Sequence, residues 1–200
     1  AAETPDAEAI AKTTLDMAKA LSVSNEITPG VPYNYLRFKS LHWLELDRWE
    51  EARGPLEKIV KRFLDDEEHK DKVIKQVIPD LAEAMIETGA VAEAKDLLSP
   101  YVIGEGAPLG TRTPTILLSR AMMGSIVGSG TNVKTTPGAG GTEEEFEFIA
   151  RRLVTIEDSL TTWTCEWYEA KLASIYAYYS WGQTNAKKLE TAKNMMDGIV

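Results

Sequence analysis

Apolar residues recur three and four positions apart through most of this chain, and strict alternation over β-branched runs is missing. That is helical patterning. Ala, Leu, Glu, Lys and Met, all good helix formers, fill the periodic stretches. The pattern predicts a first helix over about 6–21, with Ile10, Leu15, Met17, Ala18 and Leu21 as its apolar contributors. Val31-Pro32-Tyr33 opens a second, Pro suiting a first helical turn, and this helix runs to about Leu46. A third runs from Arg48 or Trp49 to about Leu64, with Gly54-Pro55 setting its first turn or bending it. A long stretch over about 67–88 follows, with Pro79 expected to kink or divide it. Gly89 stops it, and Val91 to Tyr101 forms the next short helix.

The character then changes. Residues 104–114 and 128–141 are rich in Gly, Pro and Thr and read as loops, with a helix expected between them over about 115–126. Thr142 followed by Glu143-Glu144-Glu145 is a helix start, because Thr can cap and acids favour the positive end of the dipole. That helix reaches about Leu160. Two more are expected over about 164–181 and 185–197. The expectation is an all-α chain of about nine helices with no sheet.

Two segments repeat one another. Leu46-Asp47-Arg48-Trp49-Glu50-Glu51-Ala52 parallels Thr88-Gly89-Ala90-Val91-Ala92-Glu93-Ala94: a tight turn, a bulky residue, an x-Glu-Ala step and a new helix. Upstream, Ser40 matches Ala82 and Trp43 matches Met85; downstream, Leu56 matches Leu98. This resembles the tetratricopeptide repeat, a helix–turn–helix unit of about 34 residues. A looser match starts at Trp167-Tyr168-Glu169-Ala170 and passes through Tyr176, Tyr179 and Trp181-Gly182 to a helix with Ala186 and Ala192. Some positions depart from the family pattern. Lys39 stands where a large apolar residue is usual, Asp47 where Gly is usual, and Tyr101 where a small residue is usual. Residues 104–160 carry no clean repeat.

The resemblance implies one domain over 1–200. Clear repeats span about 31–101, an irregular insert about 104–141, and C-terminal helices 142–200. Antiparallel helix pairs would stack as a right-handed superhelix, because a single pair cannot bury its apolar stripe alone. First helices line the concave side in this family. Carried over, the groove positions are Asn34, Arg37, Leu41, Leu44 and Glu45 in one unit. In the next they are Gln76, Glu83, Ile86 and Glu87, with Pro79 at the remaining place. Some family members grip a C-terminal carboxylate with Lys, Asn and Arg. Only Arg37 and Asn34 suit that here, and Glu45, Glu83 and Glu87 oppose it, so a basic or mixed amphipathic ligand is expected. The same positions also fit plain solvated faces.

Composition narrows the partners. The chain has 200 residues, 44% hydrophobic and 26% charged, with a formal net charge of −9. It is long enough for a core of its own. Its negative charge disfavours nucleic acid and anionic membrane surfaces. No stretch reaches the roughly 20 apolar residues that cross a bilayer. No signal peptide is visible. The start Ala1-Ala2-Glu3-Thr4-Pro5 fits an end left by signal cleavage and equally a trimmed chain, so no compartment follows.

Candidate chemistry is sparse. Cys165 is the single cysteine, expected as a buried structural thiol. His42 and His69 lack spaced ligand partners, and His69 lies in an acidic run. Residues 128–135 hint at a phosphate loop but have Val133 before Lys134 where Gly is required, and no preceding strand is expected. Asp65-Asp66-Glu67-Glu68 reads as a solvated helix start. Among the late aromatics Trp163, Trp167, Tyr168, Tyr176, Tyr178, Tyr179 and Trp181, helical spacing favours core for Trp167 and Tyr176. The expected function is non-catalytic: a scaffold holding a protein or peptide, a subunit of a larger assembly, or a second copy, with no cofactor or metal. The alternative is an enzyme or small-ligand binder with a site built by loops 104–114 and 128–141.

Overall fold

The computed structural model describes residues 32–104, 106–127 and 134–198. The helix expected over 6–21 lies outside them. The described residues form eight helices, which we number in chain order. Helix α1 is Tyr33–Glu45 and α2 is Trp49–Phe63. Helix α3 is one rod of three parts: Lys70–Lys72, a π-helical turn Val73–Val77, and Ile78–Glu87. Then come α4 (Val91–Val102), α5 (Arg112–Met123), α6 (Glu143–Asp158), α7 (Cys165–Gly182) and α8 (Ala186–Asp197).

The division expected at Pro79 takes a specific form. Proline has no N–H to return to the preceding turn. The π-turn sits immediately before it, with the Ile78 N–H reaching back to the Val73 carbonyl. Helix α6 starts as its sequence requires, in a full capping box. The Thr142 hydroxyl accepts from the Glu145 N–H at 3.2 Å, and the Glu145 carboxylate accepts from the Thr142 N–H at 2.8 Å.

Two expectations change around α5. That helix lies three residues earlier than predicted, because Pro114 fits inside its first turn and Gly124 ends it. Beyond it, β1 (Gly124–Val127) pairs antiparallel with β2 (Lys134–Pro137), Gly124 opposite Pro137 and Val127 opposite Lys134. The all-helical architecture stands, with a two-stranded ribbon added where no sheet was expected. A strand therefore does precede residues 128–135. Lys134 and Thr135 then enter β2 and not the helix that a phosphate loop leads into.

Packing follows chain order. Helix α1 lies on α2, α2 on α3, α3 on α4 and α4 on α5; α5 touches α3, α6 and α7, and α7 lies on α6 and α8. The turns at Leu46–Arg48 and Thr88–Ala90 are the same structure. In the first, the Arg48 N–H donates to the Trp43 carbonyl (2.9 Å) and the Asp47 N–H to Leu44 (3.1 Å). In the second, Ala90 donates to Met85 (2.7 Å) and Gly89 to Ile86 (3.1 Å). These are paired Schellman caps. Behind them Ala52 and Ala94 are both fully buried, as are Ser40 and Ala82, and Leu56 and Leu98. Fully buried Leu56, Ile59, Leu81, Leu98, Leu118, Ile149 and Leu153 carry the core, each such side chain worth about 1.5–3 kcal/mol.

Candidate protein-binding surface

Ion pairs connect alternate helices of the chain. Arg37 on α1 meets Asp80 on α3 at 2.6 Å, and Arg120 on α5 meets Glu87 on α3 at 2.5 Å. Arg53 on α2 meets Glu93 on α4 at 3.0 Å, and Lys95 on α4 meets Glu145 on α6 at 3.0 Å. Partly exposed pairs contribute only about 0.2–1 kcal/mol each. Their value is positional: they hold each helix at one register beside its counterpart.

Exposed residues recur at regular steps along α1, α3 and α7. On α1 Asn34, Phe38, Leu41 and Glu45 are exposed, as is His42 beside Leu41. The corresponding residues of α3 are Gln76, Asp80, Glu83 and Glu87, exposed or half-buried. Both sets step four, three and four residues along a helix, which keeps them on one side. On α7, Leu172, Tyr176 and Tyr179, followed by Gln183 at the C-cap, have the same steps and are all exposed.

The predicted groove residues divide against this face. Asn34, Leu41, Glu45, Gln76, Glu83 and Glu87 belong to it. Arg37 and Leu44 lie half-buried on its flank, and Arg37 is taken up by Asp80. Ile86 is 2% exposed and Pro79 is buried, so neither belongs to this outer face. They turn toward neighbouring helices because they lie on the flank of the line through Gln76, Glu83 and Glu87. Phe38, Asp80, Arg120 and Glu169 are not among the predicted groove positions. The step of Asp80 from Gln76 and Glu83 could have found it, and Arg120 stands out as the charge that interrupts the apolar stretch of α5.

Electrostatically this strip is unbalanced. Burial pushes the Glu83 carboxyl above the usual range. Arg120 opposes that shift, and the charges of Asp80, Glu87 and Glu169 add to it. Burial likewise raises Asp80 against the pull of Arg37. Glu83 and Glu169 make no ion pair among the described residues, whereas Asp80 and Glu87 do. At the end of the strip Tyr33 packs on Phe63 and His69. Its buried hydroxyl has no hydrogen-bond partner among the described residues.

Trp167 and Trp181 are buried and Tyr178 is half-buried, but Tyr176 is 39% exposed, contrary to its expected core place. Cys165 is exposed at the head of α7 and not buried. His69 is half-buried against Tyr33 and bonded to Asp66, and not on an open acidic surface. Residues 65–69 form turns before α3, whose helix begins at Lys70. Trp163, 66% exposed with φ +69°, packs on Trp167 and Tyr168.

A cavity of about 450 Å³ is lined by Lys75, Pro79, Pro108, Leu109, Thr111 and Thr113. It borders loop 104–114 at the start of α5. The described end of the second loop docks at the other end of that helix, where the N–H groups of Ala139 and Gly140 donate to the carbonyls of Ala121 and Met122. The described parts of the two loops therefore do not meet. No protein-family profile, curated protein or solved structure matches the chain. No helix among the described residues is long and apolar enough to cross a membrane.

Proposed function

We propose that this chain is a non-catalytic scaffold of the tetratricopeptide type, which holds a peptide, a helix or a partner subunit on the face of its first helices. The observation that carries this reading is the bridging of alternate helices, α1, α3 and α5 through Arg37–Asp80 and Glu87–Arg120, and α2, α4 and α6 through Arg53–Glu93 and Lys95–Glu145. Helix pairs held in that way stack in two layers, and the inner layer becomes a continuous surface. The matched Schellman turns and the fully buried Ala52 and Ala94 support the same assignment. The unit departs from the family in length. Its equivalent turns, at Arg48 and Ala90, are 42 residues apart, against about 34 in the family. The extra residues fall in the turn after α2 and the first turns of α3.

Crosslinking with mapping of the linked residues tests this. Partner crosslinks should fall on Asn34, Leu41, Glu45, Gln76 or their neighbours, and Leu41→Asp should abolish them. Arg37→Glu is a poorer probe, since it sets a second carboxylate against Asp80. Crosslinks confined to α2 and α4 would overturn the reading.

A further inference from the structure

Helix α7 carries the one largely apolar stretch of the first-helix face among the described residues outside α1. Leu172 is 59% exposed, Tyr176 39% and Tyr179 49%, and the two tyrosine rings lie 6.3 Å apart. At 1.5 Å per residue the three side chains span about 10 Å, two turns of a docked helix. Exposed aromatics with few rotatable bonds are typical anchors for a partner. One turn before Leu172 stands Glu169, close enough to Glu83 for their charges to act on one another. Helix α5 packs on both α3 and α7, so the apolar patch and the acidic strip of α3 flank the same helix. Among the described residues, the carboxylates of Asp80, Glu87 and Glu169 act on Glu83 and Arg120 opposes them, while Arg37 is paired with Asp80.

That combination selects an occupant. A second copy of this chain carries a net charge of −9, and an anionic surface or nucleic acid is repelled in the same way. We infer that the α7 face and the acidic strip of α3 take a lysine- or arginine-rich amphipathic segment of a partner protein. Its apolar side chains sit on Leu172, Tyr176 and Tyr179, and its cations sit beside Glu83 and Glu169. This rests on the scaffold reading above and adds the partner's chemistry. A cation placed there adds to the pull of Arg120 against the burial and the carboxylates that disfavour the charged form of Glu83.

The test uses the full chain and labelled helical peptides of about 18 residues, one of leucine and lysine and one with glutamate replacing lysine, followed by fluorescence anisotropy. The lysine peptide should bind at least about tenfold tighter than the glutamate peptide, with affinity falling as salt rises. Tyr176→Ser should weaken it about fivefold or more. Glu169→Gln should weaken it severalfold, and Glu57→Gln on α2 should have no effect. Thermal melts confirm that these surface variants stay folded. Equal binding to wild type, Tyr176→Ser and Glu57→Gln would mean diffuse charge attraction and overturn the inference. Equal binding of both peptides through Tyr176 would overturn the charge assignment and leave the scaffold standing. Peptide crosslinks confined to α2 and α4 would remove both.

Discussion

Asp47 and Gly89 hold the same left-handed backbone conformation, φ +53° and +84°, at the same point of two Schellman turns. Glycine adopts this conformation freely, whereas an L-residue there carries a strain of about 1–2 kcal/mol, less for Asp than for most. Asp47→Gly should therefore raise stability by about 0.5–1 kcal/mol, and Gly89→Ala should lower it by about 1 kcal/mol. No neighbouring atom would touch the added Cβ at Gly89, so its cost is conformational alone. Urea denaturation of the two variants reads both signs. A destabilised Asp47→Gly would mean that the aspartate side chain stabilises the turn.

Ala52 and Ala94 have no exposed surface, each behind one of these turns. Leucine at either site forces helices apart, an overpacking that costs about 1–3 kcal/mol or more. Ala92→Leu, on the exposed side of α4, should change stability by less than about 0.5 kcal/mol. If Ala94→Leu behaves like Ala92→Leu, the second corner is not closed as described.

Glu83 and Glu145 should respond to pH in opposite directions. Burial, opposed by Arg120 and reinforced by nearby carboxylates, raises Glu83. A raised carboxyl favours the folded state below the unfolded value, about 4.3, and that contribution is lost as pH rises through the folded value. Glu83→Gln should thus raise the urea midpoint at pH 7, with the gain vanishing below about pH 4.

Burial also pushes the Glu145 carboxyl upward, but the Thr142 N–H and the Lys95 ammonium outweigh it and hold the carboxyl below its usual range. Its contribution is present above the unfolded value and is lost as pH falls through the folded one. Glu145→Gln should lower stability at pH 7 by about 0.5–1 kcal/mol and be neutral in acid. Parallel pH profiles for the two variants would contradict the assigned environments.

Gly182 of α7 lies directly against Leu189 of α8. A Cβ there would lie 2.7 Å from the Cα and backbone nitrogen of Leu189. Gly182→Ala should cost about 1–3 kcal/mol and weaken hydrogen-exchange protection in α8 before α2 or α3. Gly54, inside α2 with no atom within reach of a Cβ, should instead gain about 0.5–1 kcal/mol on change to Ala. Uniform loss of protection after Gly182→Ala would show that α8 does not open as a separate unit.

Local chemistry was legible wherever a residue acts on its own neighbours. Thr142 and Glu145 are three residues apart, so their capping box is visible in the order of residues. The left-handed turn at Gly89 and the division of α3 before Pro79 belong to the same kind. Errors arose where the local pattern is symmetric. Helix α7 is rich in aromatic and aliphatic residues on several sides, so periodicity could not choose between Trp167, which is buried, and Tyr176, which is not. At α5 the apolar run continues past Gly124 into β1, and hydrophobicity does not separate helix from strand over a few residues.

The order of residues by itself determined the helices, their caps and the small residues at two helix corners, because these depend on interactions within a turn or two of chain. Only the tertiary structure decided that Arg37 faces Asp80, that Ile86 is core, and that the charge of Glu169 reaches Glu83 from beside an uncovered tyrosine face. Those outcomes depend on how far each helix rotates when it packs against its neighbours. That rotation is set by contacts between residues far apart in the chain, which no local pattern encodes.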